Sequence, residues 1–181
     1  MNEFSTYEYV VTRKNKGAQK IKPFIFILGY IAFALGALVF AVVTKIAATL
    51  VSLAPLALLV VIFLTWRYTK VEYEYSVTSG VLTLSEIYGG RSRKKIVEFR
   101  LKDCVAIAPL SDPAKREYAD RYDAQVSYVA LSDKDSPNGY FAAFENEKGK
   151  RCILFFDANE KMLKICRFYN PSATTVKKFD I

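Results

Sequence analysis

The side chains best suited to chemistry in this chain are cationic. Arg91, Arg93, Lys94 and Lys95 follow directly on the pair Gly89-Gly90, and Arg67 and Lys70 stand where a long apolar stretch ends. Guanidinium and ammonium groups at such spacing can neutralise phosphate, but they supply neither a nucleophile nor a general base. The chain has no histidine, which removes the commonest metal ligand and the commonest base near neutral pH. Cys104, Cys152 and Cys166 are far apart and form no C-x-x-C or other ligand spacing. In a reducing compartment they are expected to be buried thiols. The segment DPAKREYADRYD, Asp112 to Asp123, gathers carboxylates, yet Lys115, Arg116 and Arg121 are interspersed as on a solvated short helix. No P-loop, dinucleotide fingerprint or paired nucleophile and base occurs. We therefore expect no catalytic residue, no metal, no cofactor and no small-molecule substrate.

The elements that must position the cations begin with Pro23 to Trp66, where Lys45 is the sole charged residue between two apolar runs. The first, between Lys22 and Lys45, would form a helix of roughly 33 Å at about 1.5 Å per residue, against a hydrocarbon core of roughly 30 Å. The second is nearly as long. One continuous helix would be about twice the membrane thickness, so the pattern predicts a two-helix transmembrane hairpin over 21–67 with Lys45 in its turn. Pro55 lies inside the second span and is expected to kink it rather than end it. A cleaved signal peptide has a shorter apolar core and no second span directly after it.

Orientation follows from the flanks, because positive charge in short loops is retained on the cytoplasmic side. Arg13, Lys14, Lys16, Lys20 and Lys22 precede the first span, and Arg67 and Lys70 follow the second. The expectation is a multi-pass protein of the cell membrane with both termini cytoplasmic, and the net charge of +8 suits a chain lying against anionic lipid. No nucleic-acid motif accompanies that charge. Gly29, Ala32 and Gly36 allow close helix approach within the hairpin, and no ionisable residue inside either span marks an ion path.

From Tyr68 onward the pattern changes to short stretches rich in Val, Ile, Tyr and Phe between turn residues, the mark of strands. Seven are expected: 71–78, 81–88, 92–99, 104–108, 124–132, 140–147 and 151–156. Ser79-Gly80, Gly89-Gly90 and Lys148-Gly149-Lys150 read as hairpin connections. A terminal helix follows, with Asp157 as N-cap, Glu160 completing a capping box, and Met162, Ile165, Cys166 and Tyr169 on one buried face until Asn170-Pro171 stops it. The residues FSTYEYVV near the N-terminus have β-forming composition and can either add a strand to a sheet edge or rest at the interface. The tail from Pro171 reads as extended or disordered.

Seven antiparallel strands and one C-terminal capping helix, preceded by closely spaced spans, resemble small bacterial membrane proteins in which a two-helix anchor leads into a pleckstrin-homology-like (PH-like) domain. The exit sequence TWRYTKVEYEYSVTSGVLTLSEIYGG and the helix after FFDANE carry the likeness. It implies an α+β membrane protein with a cytoplasmic segment at 1–20, the hairpin at 21–67, a cytoplasmic PH-like domain at 68–170 and a tail at 171–181. Members of that group with assigned roles act as binding or scaffolding modules. Phosphoinositide-binding PH domains carry Lys and Arg around the first strand loop, whereas SVTSGVLT has none, so an inositol phosphate pocket of that type is not expected.

Two strands of about eight residues, each roughly 26 Å long, would carry the chain away from the membrane and back. Arg91, Arg93, Lys94 and Lys95 would then return to the bilayer with Arg67 and Lys70 as lipid-headgroup contacts, each gaining up to about 1 kcal/mol from anionic lipid. The resulting expectation is a non-catalytic docking protein that holds a protein partner at the bilayer. The alternatives are anionic-lipid sensing through the basic cluster, or an accessory subunit of a larger membrane enzyme or transporter.

Overall fold

A computed structural model describes residues 6–14, 20–44 and 47–176, which fall into two compact units. The smaller holds the described residues between 20 and 71 together with 88–92, and the larger holds 6–14, 72–87 and 93–176.

In the smaller unit, α1 (Ile21–Thr44) and α2 (Ala47–Thr65) pack along one another. The Tyr30 hydroxyl near the start of α1 lies 2.5 Å from Thr65 Oγ1 at the end of α2, which makes the pair antiparallel. Both are built from Leu, Ile, Val, Ala and Phe with no acidic residue, and in α1 only Ala41 is buried. A helix apolar all round belongs to a large core or a membrane span, and here most of the apolar surface outside the contact between the two helices is exposed. Among the described residues α1 alone is long and apolar enough to cross a membrane. α2 has 19 residues and runs through Pro55, and the expected turn at Lys45 lies outside the described residues.

Among the described residues the larger unit contains eight strands where the sequence led us to expect seven. β1 (Thr6–Thr12) pairs antiparallel with β2 (Val71–Thr78), in register from Thr6 opposite Thr78 to Thr12 opposite Glu72. β3 (Val81–Tyr88) and β4 (Ser92–Arg100) complete a first sheet in the order β1-β2-β3-β4. The additional strand lies in the FSTYEYVV segment from Thr6 on, and its alternation explains the placement: Tyr7, Tyr9 and Val11 are half-buried and face Val77, Tyr75 and Tyr73, while the residues between them are exposed.

The second sheet consists of β5 (Cys104–Pro109), β6 (Val126–Ala130), β7 (Gly139–Glu145) and β8 (Arg151–Asp157), ordered β5-β7-β8-β6. Here the expectation of strands in antiparallel hairpin order fails, because β6 runs parallel to β8, with Val126 opposite Cys152 and Ala130 opposite Phe156. A parallel neighbour needs a long connection, and the whole of β7 with its flanking loops provides it. β7 is buried from Gly139 to Phe144, as its unbroken GYFAAF run requires of a strand covered on both faces. One face meets the first sheet, where the Phe99 and Phe144 rings stack 3.9 Å apart. The other is covered by α3 (Pro113–Arg121), which begins at an Asp112 cap bonded to the Ala114 amide. The helix expected in this segment is present, but it is not simply solvated, since Ala119 is buried and Tyr118 stacks near Phe141.

The terminal helix α4 (Glu160–Tyr169) buries Met162, Leu163, Ile165 and Cys166. Its N-cap is Asn159, whose Oδ1 accepts from the Met162 amide at 2.9 Å, and not Asp157. Asp157 is the last residue of β8, and its carboxylate is engaged by the Ser132 amide. At the other end Tyr169 lies against the β2–β3 turn so closely that a Cβ on Gly80 (φ +81) would fall 2.7 Å from the ring. The expected extended or disordered tail is, through residue 176, held to the domain: Asn170 Nδ2 donates to the carbonyls of Leu101 and Cys104, and Thr174 forms a bridge to Ile107 at the β5 edge.

Asn170 thus ties the end of α4 to the turn before β5 with one buried amide. Asn170→Ala leaves the carbonyls of Leu101 and Cys104 without that donor and should cost about 2–3 kcal/mol. The change is expected as a lower urea midpoint at unchanged slope for the full chain in detergent micelles.

Candidate functional site

The residues around the end of α2 form a cleft in the smaller unit. After Thr65 the chain tightens into a 3-10 turn, Trp66–Thr69, and becomes extended at Lys70. The turn after β3 folds back onto this point: the Gly89 amide donates to the Lys70 carbonyl at 3.0 Å, and the Tyr68 and Tyr88 rings lie 5.5 Å apart. Gly89 and Gly90 both adopt positive φ, +57° and +69°, which glycine reaches without steric cost. At Gly89 there is also no room for a side chain, since a Cβ would sit 2.9 Å from Arg67 Cα.

The close approach frames a cleft of about 990 Å³. Leu59, Ile62, Phe63 and Trp66 provide apolar walls, and Arg67, Lys70 and Arg91 bring positive charge. The Arg91 guanidinium stands 4.8 Å from the centre of the Phe63 ring and that of Arg67 is 4.9 Å from Tyr68. Such cation–π contacts hold a cation at an apolar surface. Arg67 donates from Nη2 to the Tyr68 hydroxyl at 2.9 Å, whereas its Nε is buried with no hydrogen-bond partner.

Of the six cations singled out from the sequence, Arg67, Lys70 and Arg91 line this cleft. Arg93, Lys94 and Lys95 belong to the larger unit, on the edge strand β4. There Arg93 Nε lies 3.1 Å from the buried carboxylate of Glu74, and Lys95 Nζ lies 2.5 Å from Glu98. Hydrogen bonds from Lys95 and then from the Thr83 hydroxyl hold the Glu98 carboxyl below its ordinary range. Lys94 is exposed. Sequence reasoning did not single out Phe63, Trp66 or the close packing at Gly89. The signals available were the lone tryptophan at the end of an apolar run and the doubled glycine.

The family model described as a bacterial PH-like domain (DUF6106) matches residues 3–176. The chain belongs to that family. No curated protein and no solved structure matches it. The match takes in β1 as well as α4, so the N-terminal strand is inside the stretch that the PH-like family model covers.

In this PH-like protein Cys104, Cys152 and Cys166 are free and buried. Burial raises all three thiols, Cys166 to about 12. A folded-state pKa above the ordinary value of 9.0 means that the thiols' contribution to stability is full below that pH and falls as pH rises past it. Alkylation of Cys166 by a maleimide at about pH 8 should be roughly a thousandfold slower in the folded chain than in urea. Mass spectrometry of digested samples over time reads the difference residue by residue.

Proposed function

We propose that the protein is a non-catalytic, membrane-anchored PH-like docking module, with α1 and α2 as two spans and both termini in the cytoplasm. The observation that carries this reading is the uncovered apolar surface of the helix pair, where residues such as Phe24, Leu28, Leu35, Leu56 and Phe63 are more than half exposed. Water would penalise that surface by about 25 cal/mol per Å², and lipid would not. α2 is about 28 Å long at 1.5 Å per residue, close to the hydrocarbon thickness, and Trp66 and Tyr68 follow it as aromatic residues do at headgroup depth.

A protein partner suits the larger unit better than a lipid surface read by the basic cluster. Two members of that cluster, Arg93 and Lys95, are paired with carboxylates, so their charge is already offset. The edges of the two sheets and the exposed side of α4 offer backbone and side-chain contacts of the kind by which strands and helices are recruited. Anchoring raises the local concentration of such a partner, so a modest interface suffices.

Two measurements test the proposal. A cysteine in place of Lys45 should react with a membrane-impermeant maleimide in intact cells, with no need for permeabilisation; labelling only after permeabilisation would overturn the two-span topology. Photo-crosslinking probes at Val10, Val129 and Arg167 in native membranes should give a discrete protein adduct, and K94E should leave it unchanged. Lipid adducts alone, lost in K94E, would instead favour lipid sensing by the cluster. Recovery of one much larger membrane protein as the adduct would specify an accessory-subunit role.

A further inference from the structure

We infer that the cleft at the end of α2 binds one anionic phospholipid, with its phosphate between Arg67 and Arg91 and an acyl chain along Leu59 and Phe63. The inference rests on the membrane-anchor reading above and adds a discrete site to it.

Three observations point the same way. The lining contains Arg67, Lys70 and Arg91 and no acidic residue, so its charge complements an anion. The walls below that charge are apolar, from Leu59 to Leu64 on α2, which matches an acyl chain and not a free phosphate. Arg67 and Arg91 in that lining suit a phosphate, because a guanidinium matches phosphate with two parallel donors. The volume of about 990 Å³ is at the upper end of small-ligand sites, roughly 300–1,000 Å³, as a headgroup with part of one chain requires. The site is built by α2, the turn after it and the β3–β4 turn.

The test is native mass spectrometry of the full chain, released from detergent micelles titrated with phosphatidylglycerol or phosphatidylcholine. One phosphatidylglycerol should be retained with a preference on the order of tenfold over phosphatidylcholine, as two arginines at an anionic headgroup imply. The preference should vanish in the double variant R67Q/R91Q and persist in K94Q/K95Q. G89A, which forces the turn off Arg67, should also lose it while both arginines remain. Equal retention of the two lipids, a preference that survives R67Q/R91Q, or one lost in K94Q/K95Q would overturn the site. Equally tight binding of glycerol 3-phosphate would overturn the acyl-chain assignment, since the apolar walls would then contribute nothing. Alkaline carbonate extraction separates the two readings. A chain released from membranes takes the anchor with it, whereas a chain that stays in the membrane but shows no lipid preference removes the cleft site alone.

Discussion

The larger unit depends on one buried hydroxyl. Tyr75 on β2 is fully enclosed, and its OH donates to the Ala130 carbonyl at the end of β6 while accepting the Asp157 amide at the end of β8. Its ring lies 6.1 Å from that of Tyr9 on β1 and 6.0 Å from that of Phe156 on β8. A buried hydroxyl costs free energy unless it is paired, and here both its donor and its acceptor capacity are used. Desolvation pushes its ionisation far above the ordinary tyrosine value, so the group remains a neutral donor. One residue thereby joins β1 and β2 in the first sheet to β6 and β8 in the second.

The same interaction explains why the second sheet departs from hairpin order. An antiparallel β6 would end at the opposite side of β8, and Ala130 could not stand opposite Phe156 beside the Tyr75 hydroxyl. The parallel register brings the ends of β6 and β8 together. Asp157 Oδ2 then accepts from the Ser132 amide just past β6. With that carboxylate committed to closing the sheet, the cap of α4 passes to Asn159, which also bonds to the Tyr7 hydroxyl.

Legibility in the sequence followed the range of the interactions. β2 and β3 occupy Val71–Thr78 and Val81–Tyr88, the bounds expected from alternation and a glycine turn, because both signals are local. The buried face of α4 was equally plain from its i, i+3, i+4 spacing, although Leu163 joins it. What the residues could not reveal were long-range choices. The β1 segment alternates like a strand but gains its partner only across α1 and α2, and β6 pairs with β8 through contacts that no turn residue announces. The basic run was legible as charge and not as partition. Glu74, which engages Arg93, is placed by pairing within the first sheet, whereas Glu98 engages Lys95 from the same strand, and Arg91 meets Phe63 only because Gly89 lets the turn approach the Arg67 backbone.

That partition has an electrostatic consequence. A cation on an edge strand is worth little when water screens it and a carboxylate already sits beside it. A cation at an apolar wall is in a different position, since low local dielectric strengthens its attraction for an anion and makes an unpaired state costly. Arg93 and Lys95 belong to the first case and the half-buried Arg67 to the second, which Arg91, exposed over Phe63, would join in a bilayer. The charge left for an external anion therefore collects at the end of the apolar helix pair, where a bilayer would supply both the phosphate and the chain, while the paired cations of β4 keep an edge strand soluble and discourage unintended pairing.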